Sequence, residues 1–206
     1  MSAGPSRKPL LALLAVAAVA GALGLLVGWW SGGGLQLRDD GGAGPAMPHA
    51  ATATPAGVHP ARPGDPLPAI VLPGLDGNPV DLAGLAPGRP LLVNVWAGWC
   101  APCVEEMPEL QRYAQAQGDT GVQVVGLALD TPEGVRDFLA RIPVAYPILI
   151  DQPGPADASV QLGNTRGLLP YSVLVDAERK VVRQKLGPFA AGEIEAWAQS
   201  GTADPL

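Results

Sequence analysis

Two kinds of hydrophobic pattern divide the chain at about residue 65. Residues 10–30 form an almost unbroken apolar run, whereas short apolar stretches alternate with polar ones from residue 65 onward. Because strands alternate with helices and a hairpin and a helix close the chain, the second pattern predicts a mixed α/β sheet covered on both faces. The predicted elements are a hairpin (68–72, 78–82), strands at 91–96, 122–129 and 147–151, helices at 103–117, 133–141 and 155–162, a second hairpin (171–176, 180–186) and a helix at 192–200.

The apolar run of residues 10–30 predicts a single transmembrane helix. As a helix it would be about 31 Å long, close to the hydrocarbon thickness of about 30 Å, and two tryptophans close it where aromatic belts lie. Basic residues precede the run, so the positive-inside rule places residues 1–9 in the cytoplasm and the rest of the chain outside. The alternative is a signal peptide cleaved after Ala20, which would leave an apolar new N-terminus.

Residues 31–64 consist largely of Gly, Ala, Pro and Thr. Such a segment buries too little apolar surface to offset the entropy of ordering, so this composition predicts a flexible tether. Residues 65–206 are then predicted to be the folded domain. His49 and His59, the chain's 2 histidines, lie in this segment and are interpreted as solvated side chains.

Composition and net charge mainly serve to exclude classes of function. The net charge is −6 and the sequence pI is about 4.8. With no basic stripe along the chain, nucleic acid is not an expected partner.

The chain's 2 cysteines lie at Cys100 and Cys103, between the predicted strand 91–96 and the helix that follows it. Unpaired N–H groups and the helix dipole favour an anion at a helix N-terminus, so Cys100 is predicted to be the more acidic and reactive thiol. Cys103, one turn further on, is near enough to close a small disulfide ring. The pair is therefore interpreted as a dithiol that gives up or accepts two electrons.

Two other interpretations of the cysteine pair stay open. An inert structural disulfide would close almost the shortest possible loop, and the stabilisation from a disulfide grows with loop length. A zinc site needs about four ligands, and the two histidines supply no second ligand pair at the right spacing. Neither a metal nor an organic cofactor is expected.

Two segments around this pair carry a family resemblance. Residues 93–108 read Val-Asn-Val-Trp-Ala-Gly-Trp-Cys-Ala-Pro-Cys-Val-Glu-Glu-Met-Pro, and residues 168–176 read Leu-Leu-Pro-Tyr-Ser-Val-Leu-Val-Asp. Over residues 65–200 the chain resembles thioredoxin-fold proteins, and more narrowly the TlpA/ResA group of membrane-anchored, extracytoplasmic thiol–disulfide oxidoreductases. A strand–helix insert at about 131–152 also fits this group.

The resemblance implies roles for four residues. Cys100 would be the attacking cysteine and Cys103 the resolving one. The buried Asp that relays protons in thioredoxin corresponds to Asn94, which cannot titrate. Glu106 lies one helical turn past Cys103 on the same face, so we expect it to replace the missing Asp in proton exchange and to resist thiolate formation. The alternative is a solvated helix Glu, as is expected of Glu105.

The resemblance also predicts a substrate-binding set. Pro170 matches the family's cis-proline, which would leave the backbone of Leu169 free to pair with an extended substrate segment; an ordinary trans proline at a strand start is the alternative. Pro102 lies between the cysteines. Trp99 is expected in an apolar docking surface, with a partly buried packing role as its alternative.

The function implied is that of a protein-disulfide reductase in the bacterial inner membrane, with its catalytic domain outside the cytoplasm. Its partners would be exported protein disulfides or thiols, apo-cytochrome c among the candidates, and a DsbD/CcdA-type membrane thiol reductase as electron donor. Tyr171 stands where the cytochrome c maturation members carry a Glu after the cis-proline, which favours a more general reductase.

Three other functions are weighed against this one. A DsbA-like thiol oxidase would use the same chemistry in reverse, although the Ala-Pro dipeptide between the cysteines is closer to thioredoxin's. A peroxiredoxin needs a hydroxyl shortly before its cysteine, and residues 95–99 offer none. An intact Cys-x-x-Cys pair argues against a non-enzymatic binding module.

Overall fold

The computed structural model describes residues 55–199, which hold seven strands and four helices. The strands are β1 (Val71–Pro73), β2 (Pro79–Asp81), β3 (Leu91–Trp96), β4 (Gln123–Leu129), β5 (Ile148–Asp151), β6 (Tyr171–Val175) and β7 (Val181–Leu186). The helices are α1 (Ala101–Gln117), α2 (Pro132–Leu139), α3 (Ala158–Gln161) and α4 (Glu193–Gln199).

A five-stranded sheet in the order β5-β4-β3-β6-β7 forms the centre of the domain. Strand β3 is parallel to β4 and antiparallel to β6, β4 is parallel to β5, and β6 and β7 form an antiparallel hairpin. Strands β1 and β2 form a separate antiparallel hairpin that is bridged to the sheet edge between Gly74 and Leu149. The predicted mixed sheet, the N-terminal hairpin and the central strand–helix insert are confirmed.

The central strand β3 is buried on both faces, because its residues alternate between two hydrophobic cores. Leu92 and Trp96 lie in the core that helices α1, α2 and α4 cover. Leu91, Val93 and Val95 lie in the other core, under α3 and the N-terminal hairpin. A strand that is apolar at nearly every position and covered on both faces is typical of sheets with parallel neighbours. This burial fixes the end of β3, from which the cysteine loop leaves the sheet.

The folded domain begins a few residues earlier than the sequence predicted. Ala61 is buried, its N–H donates to the Gln161 carbonyl (2.9 Å), and its carbonyl accepts from the Gln184 amide (2.7 Å). Gly64 donates to the carbonyl of Val181 at the start of β7. Placing residues 61–64 in the tether was wrong. Their backbone hydrogen bonds to the folded domain offset the entropy of ordering, and the composition of the segment does not reveal those bonds.

Helix α3 is shorter than the predicted 155–162. Asp157 is its N-cap and accepts a hydrogen bond from the N–H of Val160 (3.0 Å), so the helix begins only after it.

The predicted membrane span of residues 10–30 lies outside the described residues, as do the first part of the tether and His49. Between residues 55 and 199 no helix is long and apolar enough to cross a bilayer.

Candidate active site

The cysteine pair sits where the loop after β3 enters helix α1. Cys100 is the N-cap of this helix, and its carbonyl accepts hydrogen bonds from the N–H groups of Cys103 (3.0 Å) and Val104 (3.1 Å). Pro102 fits in the first turn because the N–H that it lacks would have no partner inside the helix. The two cysteines are joined by a disulfide with their Cα atoms 5.3 Å apart.

The two sulfurs differ in how easily a second thiol can reach them. Cys103 is wholly buried, whereas Cys100 keeps 6% of its surface exposed. An incoming thiolate can therefore attack only at Cys100, and the same sulfur must face the target after reduction. The first turn of α1 holds no acidic residue, so no fixed negative charge there opposes a thiolate at the helix N-terminus.

The peptide bond between Leu169 and Pro170 is cis, as the sequence predicted. Tyr171 pairs with Val95 in the antiparallel register of β6 and β3, so Pro170 and Leu169 lie at the end of β3 from which the cysteine loop departs. Within the described part of the chain, neither the N–H nor the carbonyl of Leu169 makes a hydrogen bond. Both groups are available to an extended segment that lies beside the disulfide.

Exposed apolar side chains surround this end of the sheet. Trp99 is 68% exposed, so the alternative of a partly buried packing tryptophan is not what the structure shows. Leu168, next to the cis-proline pair, is 45% exposed. Leu186 is 41% exposed and pairs with Tyr171 across the β6–β7 hairpin. Sequence reasoning missed both leucines; Leu168 could have been found from its place beside the cis-proline motif, but Leu186 needs the strand register.

Glu106 lies in a buried polar cluster on the same face of α1 as Cys103. Its Oε1 atom accepts a hydrogen bond from the Asn94 side-chain amide (2.8 Å), and its Oε2 atom accepts one from the backbone N–H of Phe189 (2.9 Å). The Asn94 amide also donates to the Ser172 hydroxyl (3.1 Å). Glu105, one position earlier, is exposed as expected.

Burial raises the pKa of the Glu106 carboxyl, and the two hydrogen bonds that it accepts oppose this shift only in part. A carboxyl whose ionisation is moved toward neutral pH is better matched to proton transfer near that pH. Asn94, at the position of the missing Asp, holds this carboxylate in place through its side-chain amide. The sequence singled out both residues but could not find Ser172 or Phe189, whose contacts depend on the fold.

No group of three or more His, Cys, Asp or Glu side chains is arranged to hold a metal ion within residues 55–199. His59 is exposed.

The disulfide lies at a helix N-terminus beside a thioredoxin-like sheet, and only one of its two cysteines is exposed to solvent. These features place the chain in the class of thiol–disulfide oxidoreductases. The Redoxin family model matches residues 62–199, and the chain belongs to that family. Within it, the chain is a TlpA/ResA-like protein, as its relatives show.

Thiol-disulfide oxidoreductase ResA from Bacillus cereus is 29% identical over 140 residues, covering 68% of this chain and 78% of the relative. Sporulation thiol-disulfide oxidoreductase A from Bacillus subtilis is 25% identical over 116 residues, covering 54% of this chain and 68% of the relative. The crystal structure of a putative thiol:disulfide interchange protein DsbE from Chlorobium tepidum matches with a TM-score of 0.55 at 28% identity, over 68% of this chain and 98% of that one.

Proposed function

We propose that the protein is an extracytoplasmic protein-disulfide reductase that acts on disulfides of exported proteins. The observation that carries this proposal is the Cys100–Cys103 disulfide, of which only Cys100 is reachable, beside an unpaired backbone segment and exposed apolar side chains. The class of enzyme and the fold follow from the family; the direction of electron flow, the target and the location are parts of the proposal.

The exchange proceeds in two steps that balance sulfur for sulfur. The Cys100 thiolate attacks one sulfur of the target disulfide, which breaks that bond, releases one target thiolate and forms a mixed disulfide. The Cys103 thiolate then attacks Cys100 Sγ, which releases the second target thiol and leaves the enzyme oxidised. Two electrons pass from the enzyme to the target, and each released thiolate takes up a proton.

The target segment is proposed to bind as an added strand. The free N–H and carbonyl of Leu169 would pair with its backbone, as in other cases of strand addition. Trp99, Leu168 and Leu186 would contact its side chains, and Pro102 would contact it from the active-site turn. Main-chain pairing with apolar contacts favours flexible or unfolded disulfide-containing segments over folded surfaces.

Glu106 is proposed to accept the proton of the buried Cys103 thiol before the second step. Cys103 has no exposed surface, so water cannot deprotonate it directly. Glu106 lies one turn further along α1, is itself buried, and has a raised pKa. We assign it this role in place of the Asp of thioredoxin.

Anchoring is proposed from the apolar run of residues 10–30 and the Pro/Gly/Ala-rich segment that follows. A tethered domain meets membrane-bound partners at a raised effective concentration, which suits a DsbD/CcdA-type electron donor. A general reductase is favoured over a dedicated cytochrome c factor because Tyr171, at the position of the family's Glu, is buried and donates its hydroxyl to the Leu162 carbonyl (3.4 Å).

Reduction of insulin tests the proposed function. The full-length chain, kept in mild detergent and recycled by dithiothreitol, is expected to accelerate precipitation of the insulin B chain at least about tenfold over dithiothreitol alone. The control is the same preparation with its thiols blocked by alkylation. Precipitation no faster than in that control would contradict the proposal and favour a binding module.

A further inference from the structure

The loop that presents the active cysteine is tied to the neighbouring strand by a carboxylate. Residues 97–99 connect β3 to Cys100. The N–H of Gly98, in the middle of this loop, donates to the Oδ2 atom of Asp130 (3.2 Å). Asp130 directly follows β4, and the parallel register of β3 with β4 places it beside Gly98.

Asp130 is itself held on three sides. Its N–H donates to the Asp151 carbonyl (3.1 Å), and its own carbonyl accepts from the Gln152 side-chain amide (3.1 Å). The second carboxylate oxygen, Oδ1, accepts from the N–H of Thr131 (2.8 Å). The backbone of Asp130 is therefore fixed between the ends of β4 and β5, and its carboxylate is oriented toward the loop by the N–H at the start of α2.

The loop packs closely against this acceptor. A Cβ atom added to Gly98 would lie 3.2 Å from Asp130 Oδ2 and 3.7 Å from the Phe138 ring. The Phe138 ring in turn contacts the ring of Trp96 at the end of β3, with the ring centroids 5.0 Å apart. Glycine at position 98 thus lets the backbone approach the carboxylate closely enough to bond.

We propose that Asp130 is a positioning residue for disulfide exchange, which acts by holding the loop that presents Trp99 to the target segment. This inference rests on the proposed function, because it assumes that Trp99 contacts a protein substrate. Trp99 follows Gly98 directly and is largely exposed, so little other packing restrains it. Without the Asp130 contact, the loop would sample orientations from which Trp99 cannot dock, and protein substrates would bind more weakly.

A double-mutant cycle in the full-length protein tests this proposal. Asp130→Ala is expected to lower kcat/KM for insulin about five- to tenfold, mainly through KM, since one hydrogen bond is lost. Reaction with the small oxidised glutathione, which does not need Trp99, is expected to change by less than about twofold. When Trp99→Ala is already present, adding Asp130→Ala is expected to lower kcat/KM for insulin by less than about twofold, because both changes remove the same docking contact.

Asp151→Ala is the matched control, because Asp151 is the last residue of β5, next to Asp130 at the same edge of the sheet, and its carboxylate accepts from the N–H groups of Gln152 and Ala158 instead of the active-site loop. It is expected to lower the thermal midpoint while leaving insulin turnover intact. Asp130→Asn preserves shape but offers one acceptor oxygen to two N–H groups, so an intermediate loss of about twofold to threefold is expected if Asp130→Ala does not fold.

The proposal would be overturned if the double variant lost kcat/KM for insulin by the product of the two single losses, because the two changes would then act independently. It would also be overturned if Asp151→Ala lowered insulin turnover as much as Asp130→Ala does. An equal loss with glutathione would overturn it too, since it would indicate a general structural defect. Inactivity of the unsubstituted protein toward insulin, with normal exchange with glutathione, would instead refute the proposed function.

Discussion

Cys103→Ser is expected to hold the protein on its target as a stable mixed disulfide, and Cys100→Ser is expected to lower insulin reduction at least about 1,000-fold. Only Cys100 is accessible, so it alone can attack. Cys103 lies behind it and is needed only to release the target. The two variants therefore fail at different steps although the cysteines are three positions apart.

The measurement is a non-reducing gel of each reduced variant after it is mixed with insulin or another disulfide substrate. Cys103→Ser should give a band of enzyme plus target that dithiothreitol removes, and the double serine variant should give none. A mixed disulfide formed by Cys100→Ser through Cys103 would contradict the assignment of the attacking sulfur, because it would require Cys103 to be reachable.

Glu106→Gln is expected to lower turnover roughly tenfold to a hundredfold at neutral pH and to move the alkylation of reduced Cys100 to lower pH by about one unit. The turnover falls because an amide cannot accept the Cys103 proton. The alkylation curve moves because a buried negative charge near the thiols is removed. Rates of iodoacetamide reaction between about pH 5 and about pH 10 measure the second effect.

The substitution should leave the buried cluster intact. A flip of the Asn94 side-chain amide lets the Asn94 oxygen accept a hydrogen bond from the amide N–H of the introduced glutamine. The Ser172 hydroxyl then rotates and donates to the Asn94 oxygen. The remaining oxygen of the introduced side chain still accepts from the Phe189 N–H. Glu105→Gln, on the same helix turn but exposed, is the control that removes one charge without touching the cluster. An unchanged alkylation profile in Glu106→Gln would refute the role of Glu106.

The raised pKa of Glu106 also has a defined consequence for stability. The folded state keeps this proton to higher pH than the unfolded chain does, so the native protein loses stability as pH rises from the ordinary value of 4.5 through the raised one. Glu106→Gln removes this loss. The stability difference between the parent and the variant, from urea unfolding, should therefore shift in favour of the variant as pH rises above the ordinary pKa of 4.5.

The order and type of the elements could be predicted from the sequence because short apolar stretches bounded by turn residues indicate strands, whereas longer amphipathic stretches indicate helices. Strand β3 is apolar at nearly every position and lies in the centre of the sheet, buried on both faces. Boundaries were less predictable where side chains set them. The Asp157 cap shortened α3, although Asp is a common N-cap residue that could have indicated this start. The bonds of Ala61 and Gly64 to distant backbone moved the domain start, and they have no local pattern in the sequence.

The active-site pair, its neighbour Glu106 and the cis-proline could be found because each belongs to a contiguous motif. Contacts between segments far apart in the chain could not. Ser172 and Phe189 reach the Glu106 cluster through the β3–β6 register and the loop after β7, and Asp130 reaches Gly98 only because β3 and β4 are parallel neighbours. Phe189 contributes only its backbone N–H to these contacts, and Ser172 and Asp130 are common residue types whose partners are set by the fold.

The reduction potential of the Cys100–Cys103 pair tests the central claim most directly. Equilibration of the full-length protein in dithiothreitol and glutathione redox buffers, read by thiol alkylation, is expected to give a value near that of thioredoxin, about −270 mV. Such a protein reduces exported disulfides and must be recharged by a donor. A value near that of DsbA, about −120 mV, would contradict the account, because the protein would then oxidise exported thiols through the same two cysteines.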